Sequence, residues 1–409
     1  MIELKGKYNT AKVFTDNIEQ EAISQIITLL NQEAFKDSKI RIMPDTHAGA
    51  GCVIGFTANL GNKVIPNLVG VDIGCGMYVT KFKSELNLEA IDNFIRNNIP
   101  HGNSVNNEIK TEILDELQKI HILSDIEYIS NKTNTDFSRH IKSVGSLGGG
   151  NHFIEINEDS EGFKYLVIHS GSRNFGLQVA KYFQNIAQQE IESIIKTIKL
   201  ERDRSIGKLM QEGRRDQANI LRDSNNILIE KWNVPKELSF LTDVLKDDYL
   251  HYMDVAQKIA SLNRKIMANK IFNTFKIEPI EQFETIHNYI SMEDNMIRKG
   301  AVSAKKGEKI IIPINMRDGS IIAVGKGNED WNHSAPHGAG RLMSRSKAKE
   351  QLNLEEYKKN MIGIYSTSVK ESTLDEAPGA YKPIDEIINS IKDTVDIIEI
   401  IKPIYNFKA

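Results

Sequence analysis

Between Val69 and Met77 the chain reads Val-Gly-Val-Asp-Ile-Gly-Cys-Gly-Met, and three glycines in nine residues force a backbone that bends where a strand would run straight. On such a path Asp72 and Cys75 are free to point at one ion instead of alternating across a sheet. The competing reading is a buried thiol beside a turn aspartate. Only two cysteines, Cys52 and Cys75, occur among the 409 residues, too few for a disulfide framework and in keeping with a reducing compartment.

Three histidines give the pair a context. His152, His169 and His287 each sit next to a short apolar run, in Gly150-Asn-His-Phe153, Val167-Ile-His-Ser170 and Thr285-Ile-His-Asn288. One such histidine is usually a hydrogen-bonded core residue. Three of them with a carboxylate and a thiol form a plausible ligand set, too large for one tetrahedral ion. A thiolate shared by two ions would use all five donors, and ligand softness by itself ranks zinc first.

An apolar share of 40% and a charged share of 26% describe an ordinary globular chain with ample core. No window reads as a membrane span, and Met1-Ile-Glu-Leu-Lys-Gly6 lacks the basic start and apolar stretch of a secretory signal, which points to the cytoplasm. The net charge of −3 neither predicts nor excludes a nucleic-acid partner.

Along the chain, residues 17 to 31, 87 to 97 and 107 to 122 carry helical spacing. Strands are expected at 39–43, 51–55, 69–72, 144–156, 165–168, 282–290, 309–314 and 320–324. From about 176 to 275 glycine nearly vanishes and charge rises, so a helical insertion is expected there, read as a solvated cap. A basic helix near 341–352 and a last helix and strand through 388–401 follow.

Two glycine-rich loops, Gly145–Asn151 and Gly325–Asn328, are weak candidates for cradling phosphates. Basic residues near them (Arg173, Arg298, Lys299, Lys305, Lys306, Arg341, Arg345 and Lys347) suggest a polyanion track, against the commoner reading of a solvated surface. His333 and His337 are four apart, but Pro336, Gly338 and Gly340 argue for a loop and against a helical ligand pair. His337, with small neighbours and Arg341 beyond, is a candidate nucleophile toward phosphorus.

Taken in order, MPDTHAGAG at 43–51, VGVDIGCGM at 69–77, GGGNHFIE at 148–155, HSGSR at 169–173, HN at 287–288, RKGAVSA at 298–304, GKGNE at 325–329, HGAGR at 337–341 and Lys408 resemble the RtcB family of RNA-splicing and RNA-repair ligases over essentially the whole chain. The resemblance implies an α+β fold: one compact domain, residues 1–409, with mixed sheets around a deep metal cleft and the helical insertion. It implies joining of RNA 3′-phosphate or 2′,3′-cyclic phosphate ends to 5′-hydroxyl ends with GTP and two manganese ions, in RNA repair or tRNA splicing. Manganese thereby replaces the zinc preference.

Carried over by motif, Asp72, Cys75, His152, His169 and His287 would hold the metals, with Cys75 bridging, and His337 would carry the guanylate. Nucleotide contacts would come from Asn151, His152, Phe153, Ile154, Glu155, His287, Asn288, Pro313, Ile314, Asn315, Met316, Ser320, the His337–Gly340 segment with Gly338 and Ala339, and Lys408. His47 is a candidate helper. The implied partners are RNA ends and an archease-type activator; a monomer is expected. The chain departs from the family at Ile314-Asn-Met-Arg317, where many relatives have Gly-Ser-Met-Gly, which bears on nucleotide contacts and substrate preference. A two-metal phosphoesterase and a catalytically silent RNA-binding relative remain alternatives.

Overall fold

The computed structural model describes residues 1–408. Strands β1 (Ile2–Lys5) and β2 (Thr10–Val13) precede α1 (Gln20–Leu30), β3 (Ile40–His47), β4 (Ile54–Asn59) and β5 (Gly76–Phe82). Four helices, α2 (Leu88–Asn98), α3 (Thr111–Lys119), α4 (Leu123–Thr133) and α5 (Phe137–Lys142), lead to β6 (Phe153–Glu158) and β7 (Lys164–Ser170). Three more follow: α6 (Arg173–Gln211), α7 (Arg215–Trp232) and α8 (Asp243–Phe275). The chain then forms β8 (Pro279–Ile286), β9 (Asn288–Ser291), β10 (Met296–Lys299), β11 (Ala301–Ser303), β12 (Lys309–Asn315), β13 (Gly319–Gly325) and β14 (Ser334–Pro336). It closes with α9 (Arg345–Gln351), α10 (Leu354–Asn360), α11 (Ile384–Ile391) and β15 (Val395–Lys408).

Two sheets organise these elements into an α+β fold. A six-stranded sheet has the order β1-β2-β3-β4-β10-β9, a seven-stranded sheet the order β12-β13-β15-β6-β7-β5-β8, and β11 pairs with β14. β7 is buried along its whole length and β6 along all but its last residue. Ile154, Ile156, Leu166 and Ile168 pack on Met267 and Ile271 of α8, while Phe153 and Val167 on the other face meet Ile311 and Ile322. Strands covered on both faces read as continuous apolar runs, so sequence alternation does not reveal which face holds chemistry.

Several elements differ from expectation for local reasons. Residues 69–72 form no strand, because Gly70 and Gly74 take φ of +90° and +72° and turn the chain before β5. β6 starts only at Phe153, since Gly145, Gly148 and Gly150 also have positive φ. The run 282–290 is two strands in two sheets, with His287 as the single-residue joint. The basic helix begins at Arg345, where the Ser344 side chain caps it; α4 and α5 were not foreseen.

The helical stretch is only partly a solvated cap. Phe175, Val179 and Phe183 of α6 and Tyr249, Met253 and Ile259 of α8 belong to the largest core cluster, together with α1 and the six-stranded sheet. Beyond Ile191 α6 has no buried residue, and α7 buries only Ala218. The outer part is an exposed helical hairpin, while its roots are core.

Candidate functional site

Antiparallel pairing gathers the predicted ligands at one end of the seven-stranded sheet. His152 precedes β6, His169 is near the end of β7, Cys75 precedes β5 and His287 follows β8, and these four strands are consecutive in the sheet. Close approach needs glycine here: a Cβ on Gly76 would lie 2.1 Å from the Thr285 carbonyl oxygen, and one on Gly171 2.0 Å from Asp72 Oδ1. The fully buried Arg264 ties the strand ends together, donating from Nη1 to the carbonyls of Gly74 (2.8 Å) and Ser170 (2.5 Å) and from Nε to Glu284 (2.7 Å).

The donor atoms face one another. Nδ1 of His152 bonds the Leu147 carbonyl (3.0 Å) and Nδ1 of His169 the Asn151 carbonyl (3.1 Å), which places the ring proton on Nδ1 and a lone pair on each Nε2. His152 Nε2 then meets Asp72 Oδ2 at 3.0 Å and Cys75 Sγ at 3.5 Å; His169 Nε2 meets Sγ at 3.2 Å and His287 Nε2 at 3.4 Å. The ligand atoms of Cys75, His152 and His169 all lie within 4.8 Å of one another. One proton relieves one such contact between acceptors; divalent cations relieve all of them, so the donor set fits metal. Burial and the Asp72 charge push the Cys75 thiol well above its ordinary range, while burial drives His169 and His287 well below theirs. The imidazoles of His169 and His287 are thus neutral, as ligation requires, and bound cations would reverse the penalty on the thiolate.

His337 stands between this cluster and a cavity. Its ring centroid is 4.8 Å from that of His287, and it lines a cavity of about 180 Å³. Nδ1 lies 2.7 Å from Oδ2 of Asp45, a fully buried carboxylate that also accepts the His337 backbone N–H at 3.1 Å. A carboxylate only accepts, so the ring proton sits on Nδ1 and Nε2 carries the lone pair. Asp45 is reached because Gly340, with φ of +75°, has no Cβ; one would lie 2.5 Å from the Asp45 carbonyl oxygen.

Of the predicted nucleotide contacts, Asn151, Phe153, Glu155, Pro313, Ile314, Asn315, Met316, His337, Gly338, Ala339, Gly340 and Lys408 line this cavity, as does His47. Burial raises the Glu155 carboxyl to about 7 against hydrogen bonds from Asn157 and Asn406 and the charge of Lys408. The side chain of Ile154 points away from the cavity and packs in the apolar cluster on the opposite face of the sheet. Ser320 is fully buried outside the lining, and Asn288 is spent on the backbone of Gly300 and Asp72. At the divergent hairpin, Asn315 Oδ1 accepts the backbone N–H groups of Arg317 and Asp318 while Nδ2 donates to Asp318, and Arg317 pairs with Asp318. Its carboxamide closes the turn instead of pointing to a ligand.

Part of each glycine loop is spent inside the fold instead of cradling a ligand. The amides of Gly145 and Ser146 donate to Asn263 Oδ1, and those of Gly325 and Gly327 to the carbonyls of Glu308 and Ala304. Two residues of the expected basic track are spent inside the fold: Arg298 is fully buried on Ser334, Tyr289 and Asp294, and the buried Lys299 ammonium donates to three backbone carbonyls. His333 turns away to the Gly327 carbonyl. Sequence reasoning missed Asp45, Glu376, Tyr381 and Asn406 in or behind the cavity wall. Asp45 lies inside a quoted motif, but the other three carry no local signal.

Comparison with known proteins gives the geometry relatives. Residues 28–409 match the family model described as tRNA-splicing ligase RtcB. The chain is 30% identical over 425 residues to the RNA-splicing ligase RtcB of Escherichia coli strain K12, covering 96% of this chain and 95% of that protein. It is 28% identical to the tRNA-splicing ligase RtcB of Nanoarchaeum equitans (85% and 83% covered) and 26% identical to that of Aeropyrum pernix (92% and 90%).

Proposed function

Because this chain belongs to the RtcB family of tRNA-splicing ligases, we propose that it joins RNA 3′-phosphate or 2′,3′-cyclic phosphate ends to 5′-hydroxyl ends through a guanylylated His337. The observation that carries this reading is His337 itself, proton-bearing on Nδ1 toward buried Asp45 and beside both the donor cluster and the cavity.

In the first step Nε2 attacks the α-phosphorus of GTP; the P–N bond forms and the bond to pyrophosphate breaks. Asp45 keeps the ring oriented and compensates the positive charge that develops on it. An oxygen of the RNA 3′-phosphate then attacks the guanylate, returning the electron pair to Nε2 and leaving RNA-3′-pp-G. The 5′-hydroxyl finally attacks the RNA phosphorus, losing its proton as GMP departs. A cyclic end must first be opened by water. Asp72, Cys75, His152, His169 and His287 would hold two manganese ions, which supply neutralisation of charge on phosphoryl oxygens. Asn151, Phe153, Glu155 and Lys408 would hold the nucleotide.

RNA repair or tRNA splicing is the setting we infer, in a cytoplasm reducing enough to keep Cys52 and Cys75 free, with the chain acting as a monomer alongside an archease-type activator. α-Labelled GTP with manganese, followed by denaturing electrophoresis, tests the reading. A covalent band lost in His337→Ala is expected. Absence of that band from metallated, RNA-binding protein overturns it, and hydrolysis of cyclic phosphate without any band would support a two-metal phosphoesterase instead.

A further inference from the structure

We propose that Glu376 is a positioning residue for nucleotide capture, holding the Lys408 ammonium at the end of the cavity. The proposal rests on the GTP reading above. Glu376 lies in the cavity wall with its side chain only 3% exposed, and four donors converge on it. Lys408 and the Tyr381 hydroxyl (2.8 Å) reach Oε2, while Arg345 (3.2 Å) and Arg341 (3.4 Å) reach Oε1. The arginines have other anchors: Arg341 donates to the carbonyls of Asp375 (2.5 Å) and Met343 (3.1 Å), and Arg345 pairs with Asp375 (2.9 Å). Lys408 does not. Among the described residues Glu376 is the one hydrogen-bond partner of its ammonium.

The consequence is a competition between two carboxylates for one ammonium. Glu155, buried in the same cavity, also feels the Lys408 charge. An ammonium carries three donors; with one spent on Glu376, two stay available to a ligand acceptor while Glu155 stays available to a ligand donor. Remove the Glu376 charge and Lys408 is drawn to Glu155, so that both groups quench each other where the nucleotide should bind. Glu376 thus acts through Lys408 and touches no reacting atom.

The test compares wild type, Glu376→Gln, Lys408→Met and the double variant in α-labelled GTP incorporation as a function of GTP concentration, with thermal unfolding as the folding control. Glu376→Gln should raise the GTP concentration for half-maximal labelling about tenfold and leave the saturating rate within about twofold. The double variant should be no worse than Lys408→Met alone, the non-additivity expected of a residue acting through its partner. Should Glu376→Gln not fold, Glu376→Asp, which keeps the charge but shortens the reach, reads the same relation. Unchanged GTP dependence in either folded variant, or multiplicative losses in the double, overturns the proposal. Labelling absent from wild type would instead defeat the ligase reading beneath it.

Discussion

Nδ1 of His337 lies 2.7 Å from Oδ2 of Asp45, whose carboxylate is entirely shielded from solvent. The pair joins two segments 292 residues apart in the sequence, and it decides which ring nitrogen is free to react. Asp45→Asn places an amide opposite Nδ1. If its N–H turns to the ring, the imidazole proton shifts to Nε2 and the lone pair facing the cavity is lost. Covalent nucleotide labelling should fall by about 10²–10⁴-fold while metal content, read by mass spectrometry, stays at the wild-type level. Labelling within threefold of wild type would remove Asp45 from the chemistry.

Gly340 guards that pair. Alanine there must adopt a positive φ and push on the Asp45 backbone, so Gly340→Ala should cost about 1–3 kcal/mol in chemical unfolding and suppress labelling more than its stability loss explains. A variant as stable and as reactive as wild type would contradict the packing described.

For the donor cluster, manganese added to metal-free protein should raise the melting temperature, because the folded state alone presents the assembled ligands. Cys75→Ala should lose most of this shift. An equal shift in both proteins, followed by differential scanning calorimetry, would show that Cys75 is not a ligand.

Glu155 makes a pH prediction. Its carboxyl sits at about 7 in the fold through burial, above its ordinary 4.5. The folded state therefore holds the proton more tightly than the unfolded chain. The resulting stabilisation is full below pH 4.5, declines as pH rises and is lost once pH passes about 7. Wild type should lose melting temperature relative to Glu155→Gln between pH 5 and about 7.5; parallel melting curves across that range would argue against the buried acid.

The outer hairpin of α6 and α7 should be dispensable for nucleotide chemistry. Arg202 and Asn226 meet across it at 3.0 Å, so residues 203–225 can be replaced by a short glycine turn. Labelling should survive unchanged, and any loss confined to RNA joining would assign the arm to RNA. Collapse of the melting temperature would instead make the arm part of the folding unit.

The sequence by itself determined the identities of the reactive groups. Glycine at 70, 74 and 76, a carboxylate and thiol between them, three histidines beside apolar runs and a histidine among small residues are local chemical facts, and the motif order carried the family. What the sequence left open is set by contacts between distant segments. Ile154 came in with its motif, and because β6 is covered on both faces the apolar pattern there does not tell cavity from core; only the packing puts Phe153 and Glu155 on one side and Ile154 and Ile156 on the other. Loop glycines at 145 and 325 looked like phosphate cradles until their amides proved to be bonded within the fold. Asp45, Glu376 and Asn406 gained their places only when β3, the segment after α10 and β15 closed around the cavity. Chemistry is carried by residue type and is readable one residue at a time; orientation, partner and protonation come from long-range packing, which only the tertiary structure decides.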